Sequence, residues 1–292
     1  MPAWEPVRDQ SPAGFRFDRL VHRYPGGIAA LDGVDLDVEP GETVAIVGQN
    51  GSGKTTLARH LVGILAPTEG TVRVGGEDIA GRRIWQLART VGFASAEPER
   101  QLFSRTVEAE VAFGPHNLGL GPAATRRLVE QALWLTGLDD RRVANPHDLV
   151  EPDRRLVAVA SVLALDPALL VMDEPTTGQD AAGTARVGAI VDALAAAGRT
   201  VLAITHDLEL AAGHFGRIVV LRAGRVVADG PPGQVLAPAN ATLLASTGLE
   251  PPPIARLAGR LGLAAPLPLT VGDLLACAAA NPLTLTLPET PS

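Results

Sequence analysis

The sequence predicts an α/β fold built around a largely parallel sheet. Three observations carry that prediction. TVAIV (43–47) and ALLVM (168–172) are continuous apolar runs of strand length, the pattern of strands covered on both faces. The strand TVLAIT (200–205) follows a helical stretch at 181–197, so strand and helix alternate as parallel sheets require. Between the first of these strands and the helical spacing of TTLARHLVGIL lies a glycine-rich turn, GQNGSGKT, at 48–55.

Taken in order, residues 1–14 hold three prolines without periodicity and read as a loose, flexible tail. Residues 15–47 read as short strands with turns at Pro25-Gly26-Gly27 and Pro40-Gly41. Turns and short strands return at 68–93. From about 104 to 165 the chain reads mostly helical, with breaks at 119–122 and around Pro146 and Pro152. After the buried strand that ends in Asp173-Glu174 come the 181–197 helix and the 200–205 strand; RIVVLRAGRVVADG then reads as a strand closing the domain. Pro231-Pro232 and Pro251-Pro252-Pro253 bracket a short helical piece, and 254–281 form a small appendage.

Bulk properties narrow the class of function. A chain of 292 residues accommodates one large α/β domain with an appendage, or two small domains. Its net charge of -7 argues against nucleic acid as the main ligand, because phosphate backbones are bound chiefly through Lys and Arg. The single cysteine, Cys277, cannot form an internal disulfide and reads as a small packing residue in an apolar stretch. No secretory signal is visible at the N-terminus. The longest apolar run, LVAVASVLAL (156–165), falls short of the ~20 residues a membrane span needs. A membrane role is expected to come through a partner.

The chemistry concentrates in a few places. Gly48, Gln49, Asn50, Gly51, Ser52, Gly53, Lys54 and Thr55 match G-x-x-x-x-G-K-[ST] at each defined position, with a strand before and a helix after. Glycines let successive N–H groups curl inward onto phosphate oxygens, and the helix N-terminus adds its positive end. Lys54 would reach the β- and γ-phosphates, and the Thr55 hydroxyl would ligate Mg²⁺. Asp173 would hold the same Mg²⁺. Glu174 is placed either to polarise an attacking water or simply to solvate a helix start. His206 follows a buried strand at the sheet edge where ligands bind, and could hydrogen-bond the γ-phosphate and the water. Tyr24, the one tyrosine, could stack on adenine or merely pack.

In order and spacing, Tyr24, 48–55 with the adjoining Thr56, 169–174, Asp180 and His206 resemble the ATP-binding subunit of ABC transporters over about residues 15–235. QLFSRTVEAEVAFGPHNLGL (101–120) and PPPIARLAGRLGLAAPLPLTVGDLL at the C-terminal end look like the energy-coupling-factor ATPases that power vitamin and metal-ion uptake. The resemblance implies a P-loop NTPase core of ABC-ATPase type, with a helical subdomain at about 96–165 and an N-terminal antiparallel β subdomain. The extension 236–292 would be a dimer contact. It further implies a head-to-tail dimer sandwiching two ATP molecules. Hydrolysis would drive a transmembrane coupling subunit and a substrate-binding membrane subunit from the cytoplasmic face of the membrane. Thr56 and Asp180 would belong to the nucleotide site.

Two departures stand out. Aligned back from RRLVAVASVLALDP, the family's LSGGQ falls on Leu149, Val150, Glu151, Pro152 and Asp153; aligned on VGF and QLF, the Q-loop glutamine falls on Ala96. Val150 lacks the signature hydroxyl, Pro152 lacks an N–H, and Glu151 sets a negative charge against a triphosphate. At about 4 Å such a pair repels by ~1 kcal/mol in water and ~4 kcal/mol at an effective dielectric of 20. Glu-Pro-Asp remains a good helix opening, with proline in the first turn and acids at the positive end. In the head-to-tail geometry this loop serves the partner's nucleotide. A heterodimer with a partner carrying an intact signature is therefore favoured over a homodimer. Ala96 bears on the chain's own site, so turnover would be reduced or partner-dependent. The alternative reading is an ATP-binding regulatory or structural subunit with little hydrolysis, paired with an active ATPase.

Overall fold

The computed structural model describes residues 4–261, 263 and 267–280. The remaining positions of the expected tail (1–3) and C-terminal extension (262, 264–266 and 281–292) lie outside the described residues.

In chain order the strands are β1 (Phe15–Arg23), β2 (Ala29–Val38), β3 (Thr43–Val47), β4 (Glu69–Val74), β5 (Glu77–Asp78), β6 (Val91–Ala94), β7 (Leu169–Asp173), β8 (Thr200–Thr205), β9 (Arg217–Arg222) and β10 (Arg225–Gly230). The helices are α1 (Lys54–Leu61), α2 (Ile84–Leu87), α3 (Val107–Asn117), α4 (Pro122–Thr136), α5 (Glu151–Leu163), α6 (Ala181–Ala196), α7 (Leu208–His214), α8 (Pro232–Val235), α9 (Ala241–Ser246), α10 (Pro253–Arg260) and α11 (Val271–Ala280).

Two sheets organise these elements. The larger has the order β10-β9-β3-β8-β7-β6, parallel except for the edge strand β10. The smaller, β2-β1-β4-β5, is antiparallel. Period-2 alternation explains how the larger sheet is covered on both sides. Ala45, Val47, Leu170, Met172, Val201 and Ala203 point into a core shared with α3 to α7. Val44, Ile46, Leu169, Val171, Leu202 and Ile204 point into a second core shared with α1 and the smaller sheet. The expected architecture, a P-loop type core with a helical subdomain and an N-terminal antiparallel sheet, is thus what the chain adopts.

Two expectations need correction. RIVVLRAGRVVADG is not one strand but the β9–β10 hairpin, because Ala223 and Gly224 both take positive φ (47° and 75°) and reverse the chain in two residues. The expected break around Pro152 is where α5 begins, with Pro152 in its first turn, where its missing N–H would have been unbonded anyway. The described part of the tail is not loose. Trp4 is 4% exposed and joins the main core, and the backbone N–H groups of Val7 and Arg8 each donate to Asp166 Oδ2 at 2.7 Å. A buried carboxylate supplies what the proline-rich segment cannot, namely partners for its own backbone.

Candidate functional site

The parallel register brings the predicted residues to one edge. β3 and β7 both flank β8, with Val47 level with Thr205 and Asp173 level with Ile204. The loop after β3, the acids ending β7 and His206 after β8 therefore emerge side by side at the carboxyl ends of the strands.

The 48–55 loop has the shape its glycines predict. A Cβ at Gly48 would press into the Leu221 carbonyl, and one at Gly53 (φ 107°) into that of Ala30. The loop is held from behind by Gly224, whose N–H donates to the Ser52 carbonyl at 2.9 Å. Thus the unforeseen β9–β10 turn props the phosphate loop. Lys54, buried, folds its ammonium over the loop and donates to the carbonyls of Gly48 (2.6 Å) and Gln49 (3.0 Å). The N-terminus of α1 carries no side-chain cap, which leaves its first N–H groups available to an anion. Among the described residues Ser52 Oγ is buried without a hydrogen-bond partner, an orphan that a phosphate oxygen would satisfy. Asn50 and Gly51 stand exposed at the loop's tip.

Two polar pairs complete the edge. Thr55 Oγ1 donates to Asp173 Oδ1 at 3.2 Å. His206 Nδ1 lies 2.8 Å from Glu174 Oε2, and since a carboxylate accepts, the imidazole carries its proton on Nδ1. Burial pushes the Asp173 carboxyl above its ordinary range, against the opposing Thr55 hydrogen bond. Burial likewise lowers the Lys54 ammonium, against the attraction of Glu174 and Asp173. A hydroxyl beside a desolvated carboxylate suits Mg²⁺, a hard ion that binds one or two protein oxygens and fills its octahedron with water and phosphate oxygens. Thr55 and Asp173 would hold it, and it would supply charge neutralisation for the phosphates.

The raised Asp173 pKa fixes the sign of a stability effect. A carboxyl whose folded pKa exceeds its unfolded value contributes stability at acid pH that is lost as pH rises through the folded value. At neutral pH the ionised group therefore destabilises the nucleotide-free protein. Asp173→Asn is expected to raise the nucleotide-free melting temperature. The same variant should lose the extra stabilisation that Mg²⁺ adds to ATP. Scanning calorimetry with ATP, with and without Mg²⁺, checks both, and an unchanged Mg²⁺ increment would rule out Asp173 as a ligand.

Other predicted residues are placed as follows. Tyr24 is half-buried beside this region, its hydroxyl 3.1 Å from Thr56 Oγ1 and its ring edge-on to His22 at 4.7 Å. His22 in turn meets the buried His60 at 4.8 Å, and His60 Nδ1 donates to the Thr56 carbonyl at 2.7 Å. Sequence reasoning missed both histidines because their partners are a ring and a carbonyl brought together only by folding. Asp180 caps α6, accepting from the Gly183 N–H at 2.7 Å. Ala96 sits in the loop after β6, which Gln101 braces by donating to the Phe93 carbonyl (3.2 Å) and accepting from the Ser95 N–H (3.3 Å). Leu149 to Asp153 form the entry to α5, where Val150 occupies the cap position without a capping side chain, and Glu151 and Asp153 lie in the first turn.

A family model described as ABC transporter matches residues 31–177. The energy-coupling factor transporter ATP-binding protein EcfA of Methanoculleus marisnigri is 42% identical over 239 residues, 82% of this chain and 86% of that protein. The cobalt import ATP-binding protein CbiO of Rhodobacter capsulatus is 42% identical over 243 residues, with the same shares. A longer relative from Methanosarcina acetivorans is 39% identical over 277 residues, and the chain spans 45% of its length. Among solved structures, cbiO1 from Clostridium perfringens, described as part of the ABC transporter complex cbiONQ, superposes with a TM-score of 0.70 at 30% identity. The match covers 87% of this chain and 100% of that one.

Proposed function

The chain belongs to the ABC transporter family of ATP-binding proteins, and on that premise we propose that it hydrolyses ATP to energise uptake of a vitamin or transition-metal ion by an energy-coupling-factor transporter. The observation that carries the reading is the meeting of Lys54, the Thr55–Asp173 pair and the Glu174–His206 pair at one sheet edge. The family relatives named for energy coupling and cobalt import support the transport class.

In this reading the N–H groups of 48–55 and Lys54 bind the β- and γ-phosphates, and the Ser52 hydroxyl gains its missing partner. Glu174 accepts the proton of a water whose oxygen bonds to the γ-phosphorus while the bond to the bridging oxygen breaks, giving ADP and phosphate. His206 holds the Glu174 carboxylate in place through Nδ1–H, and in its doubly protonated form it also donates from Nε2 to the γ-phosphate. Tyr24 stacks on adenine. Asp180, by capping α6, sets the loop that would face the second subunit.

The dimer would pair this chain with a second ATPase subunit. Val150 is 64% exposed and offers no hydroxyl, so the partner's ATP would meet an apolar side chain followed by the Glu151 carboxylate and the N–H-less Pro152. A partner with an intact signature restores this chain's own site, which supports a heterodimer. Among the described residues no helix is long and apolar enough to cross a membrane, so membrane attachment in this reading comes through the coupling and substrate-binding subunits. The exposed pair Phe103 and Phe113, edge-to-face at 4.6 Å, offers those subunits an aromatic contact. Buried Glu110 braces it by accepting from the N–H groups of Phe103 (2.9 Å) and Ser104 (2.6 Å).

The reading is tested by isolating the complex through a tagged chain, identifying its other subunits, and measuring ATP affinity. Lys54→Ala removes a buried charge partner of the phosphates, and such truncations cost about 2–5 kcal/mol. ATP affinity is therefore expected to fall by roughly 30-fold or more. Purification alone, with no ATPase partner or membrane protein, or ATP affinity unchanged in Lys54→Ala, would contradict it.

A further inference from the structure

Glu174 occupies an awkward backbone position. Its φ is 50°, in the left-handed region that non-glycine residues rarely adopt, and the next residue is Pro175. Such a conformation persists only where the surroundings hold it. On the amino side, the Glu174 N–H donates to the Ile204 carbonyl at 2.8 Å. On the carboxyl side, the Thr177 N–H approaches the Glu174 carbonyl at 3.3 Å, and one side chain reaches the same oxygen: Arg155, whose Nη1 donates to it at 3.2 Å.

Arg155 is not a surface cation that happens to lie nearby. Its side chain is 6% exposed in the first turns of α5, and its Nη2 lies 3.4 Å from Glu151 Oε1 one turn earlier. Among the described residues its Nε is buried with no partner, so the guanidinium is held in this orientation by its two acceptors. A second tie runs parallel. Gln179 Nε2, from the loop after Glu174, donates to the Pro152 carbonyl at 3.0 Å. The loop 149–153, which has lost the groups that read a phosphate, is thereby bound to the backbone around this chain's own Glu174.

We infer that Arg155 is a positioning residue for ATP hydrolysis, fixing the Glu174 backbone through its carbonyl, with Glu151 as the counter-charge that orients the guanidinium. The inference rests on the proposed hydrolytic role of Glu174. It assigns Glu151 a task within its own chain, distinct from its effect on a nucleotide held by a partner. Arg155 acts through Glu174 and touches neither ATP nor water. Loss of the tie lets the carboxylate swing away from the line of attack, and misplacement by about 1 Å suffices for a large fall in rate.

The test uses the intact complex and steady-state ATP hydrolysis, with turnover remaining in the Glu174→Gln complex subtracted as background from any other site. Arg155→Met is expected to lower kcat on the order of 10- to 100-fold, while KM and the ATP dissociation constant stay within about two-fold, since uniform binding is untouched. Arg155→Lys, with one compact donor group for two separated acceptors, recovers part of the loss. Glu151→Gln, an exposed site where folding is not at risk, lowers kcat by roughly two- to five-fold, the loss of one partly exposed charged contact. Melting temperatures of all variants are measured alongside. Turnover unchanged in Arg155→Met, with hydrolysis sensitive to Glu174→Gln, overturns the inference alone. So does a Lys variant as defective as Met with kcat falling in step with melting temperature and ATP affinity, which marks a merely structural role. Insensitivity of the wild-type complex to Glu174→Gln overturns both the inference and the hydrolytic reading beneath it.

Discussion

Glu174→Gln leaves ATP binding intact and lowers turnover at this chain's site by about 10²- to 10⁴-fold, the range that a positioned general base contributes. The two side chains are isosteric, and the backbone at φ 50° keeps the same ties to Ile204 and Arg155. What changes is proton affinity. An amide oxygen still accepts a hydrogen bond from His206 Nδ1, now 2.8 Å from Glu174 Oε2, but it cannot take a proton from water. Lys54, Thr55 and Asp173, the groups proposed to hold the phosphates and Mg²⁺, are untouched, and a Gln side chain removes one negative charge from their neighbourhood. ATP affinity should hold or rise slightly. Equilibrium binding of ATP together with single-turnover hydrolysis separates the two quantities. Turnover equal to wild type, measured in the intact complex, would exclude Glu174 from proton transfer. A parallel collapse of binding would instead mark it as a structural support for the loop.

How far the sequence anticipates this arrangement depends on the distance over which each residue finds its partner. The phosphate loop was legible because its requirements are local. Only glycine fits at 48 and 53 without pressing on the carbonyls of Leu221 and Ala30, and the lysine and threonine follow within two residues. Strands β3, β7 and β8 were legible because burial on both faces demands near-continuous apolar runs. The opening of α5 was legible too, since Pro152, Glu151 and Asp153 meet the local needs of a helix start. The turn at Ala223-Gly224 was not: an alanine at φ 47° carries no turn signature, and the hairpin depends on pairing between Arg217–Arg222 and Arg225–Gly230. Arg155, His22 and His60 stayed invisible for a related reason. Each bonds a backbone carbonyl, of Glu174, Ala66 and Thr56 respectively, and a carbonyl leaves no trace in the residue type that bears it. The pinned N-terminal segment was missed because its anchor, Asp166, lies more than 150 positions along the chain.

That anchor carries the largest stability effect expected anywhere in the chain. Asp166 is fully buried (0% exposed) and its side chain is paired with that of Arg199, itself 3% exposed, at 2.8 Å. Oδ1 also accepts from the Trp4 indole at 3.3 Å, and Oδ2 accepts the backbone N–H groups of Val7 and Arg8 at 2.7 Å each. Arg199 Nη1 meanwhile donates to the Gln10 carbonyl at 2.8 Å, so the pair grips the segment from two sides. Asp166→Ala strands a buried guanidinium and orphans an indole and two backbone donors, and removing one partner of a buried ion pair costs about 3–5 kcal/mol. The residue also sits at φ 49°, a conformation that aspartate and asparagine tolerate better than alanine. Asp166→Asn keeps the shape and one acceptor while losing the charge, and its cost should be smaller, about 1–3 kcal/mol. Arg199→Met added to Asp166→Ala should recover part of the loss, because it removes the unpaired charge and not merely its partner. Urea unfolding of the four proteins, with limited proteolysis of residues 4–13, resolves these terms. A loss below about 1 kcal/mol in Asp166→Ala would put this site within the ordinary range for surface substitutions and refute the anchor. Because Asp166 precedes β7 while the phosphate loop follows β3, the two lie at opposite edges of the sheet, and ATP affinity below the melting transition should survive all three substitutions.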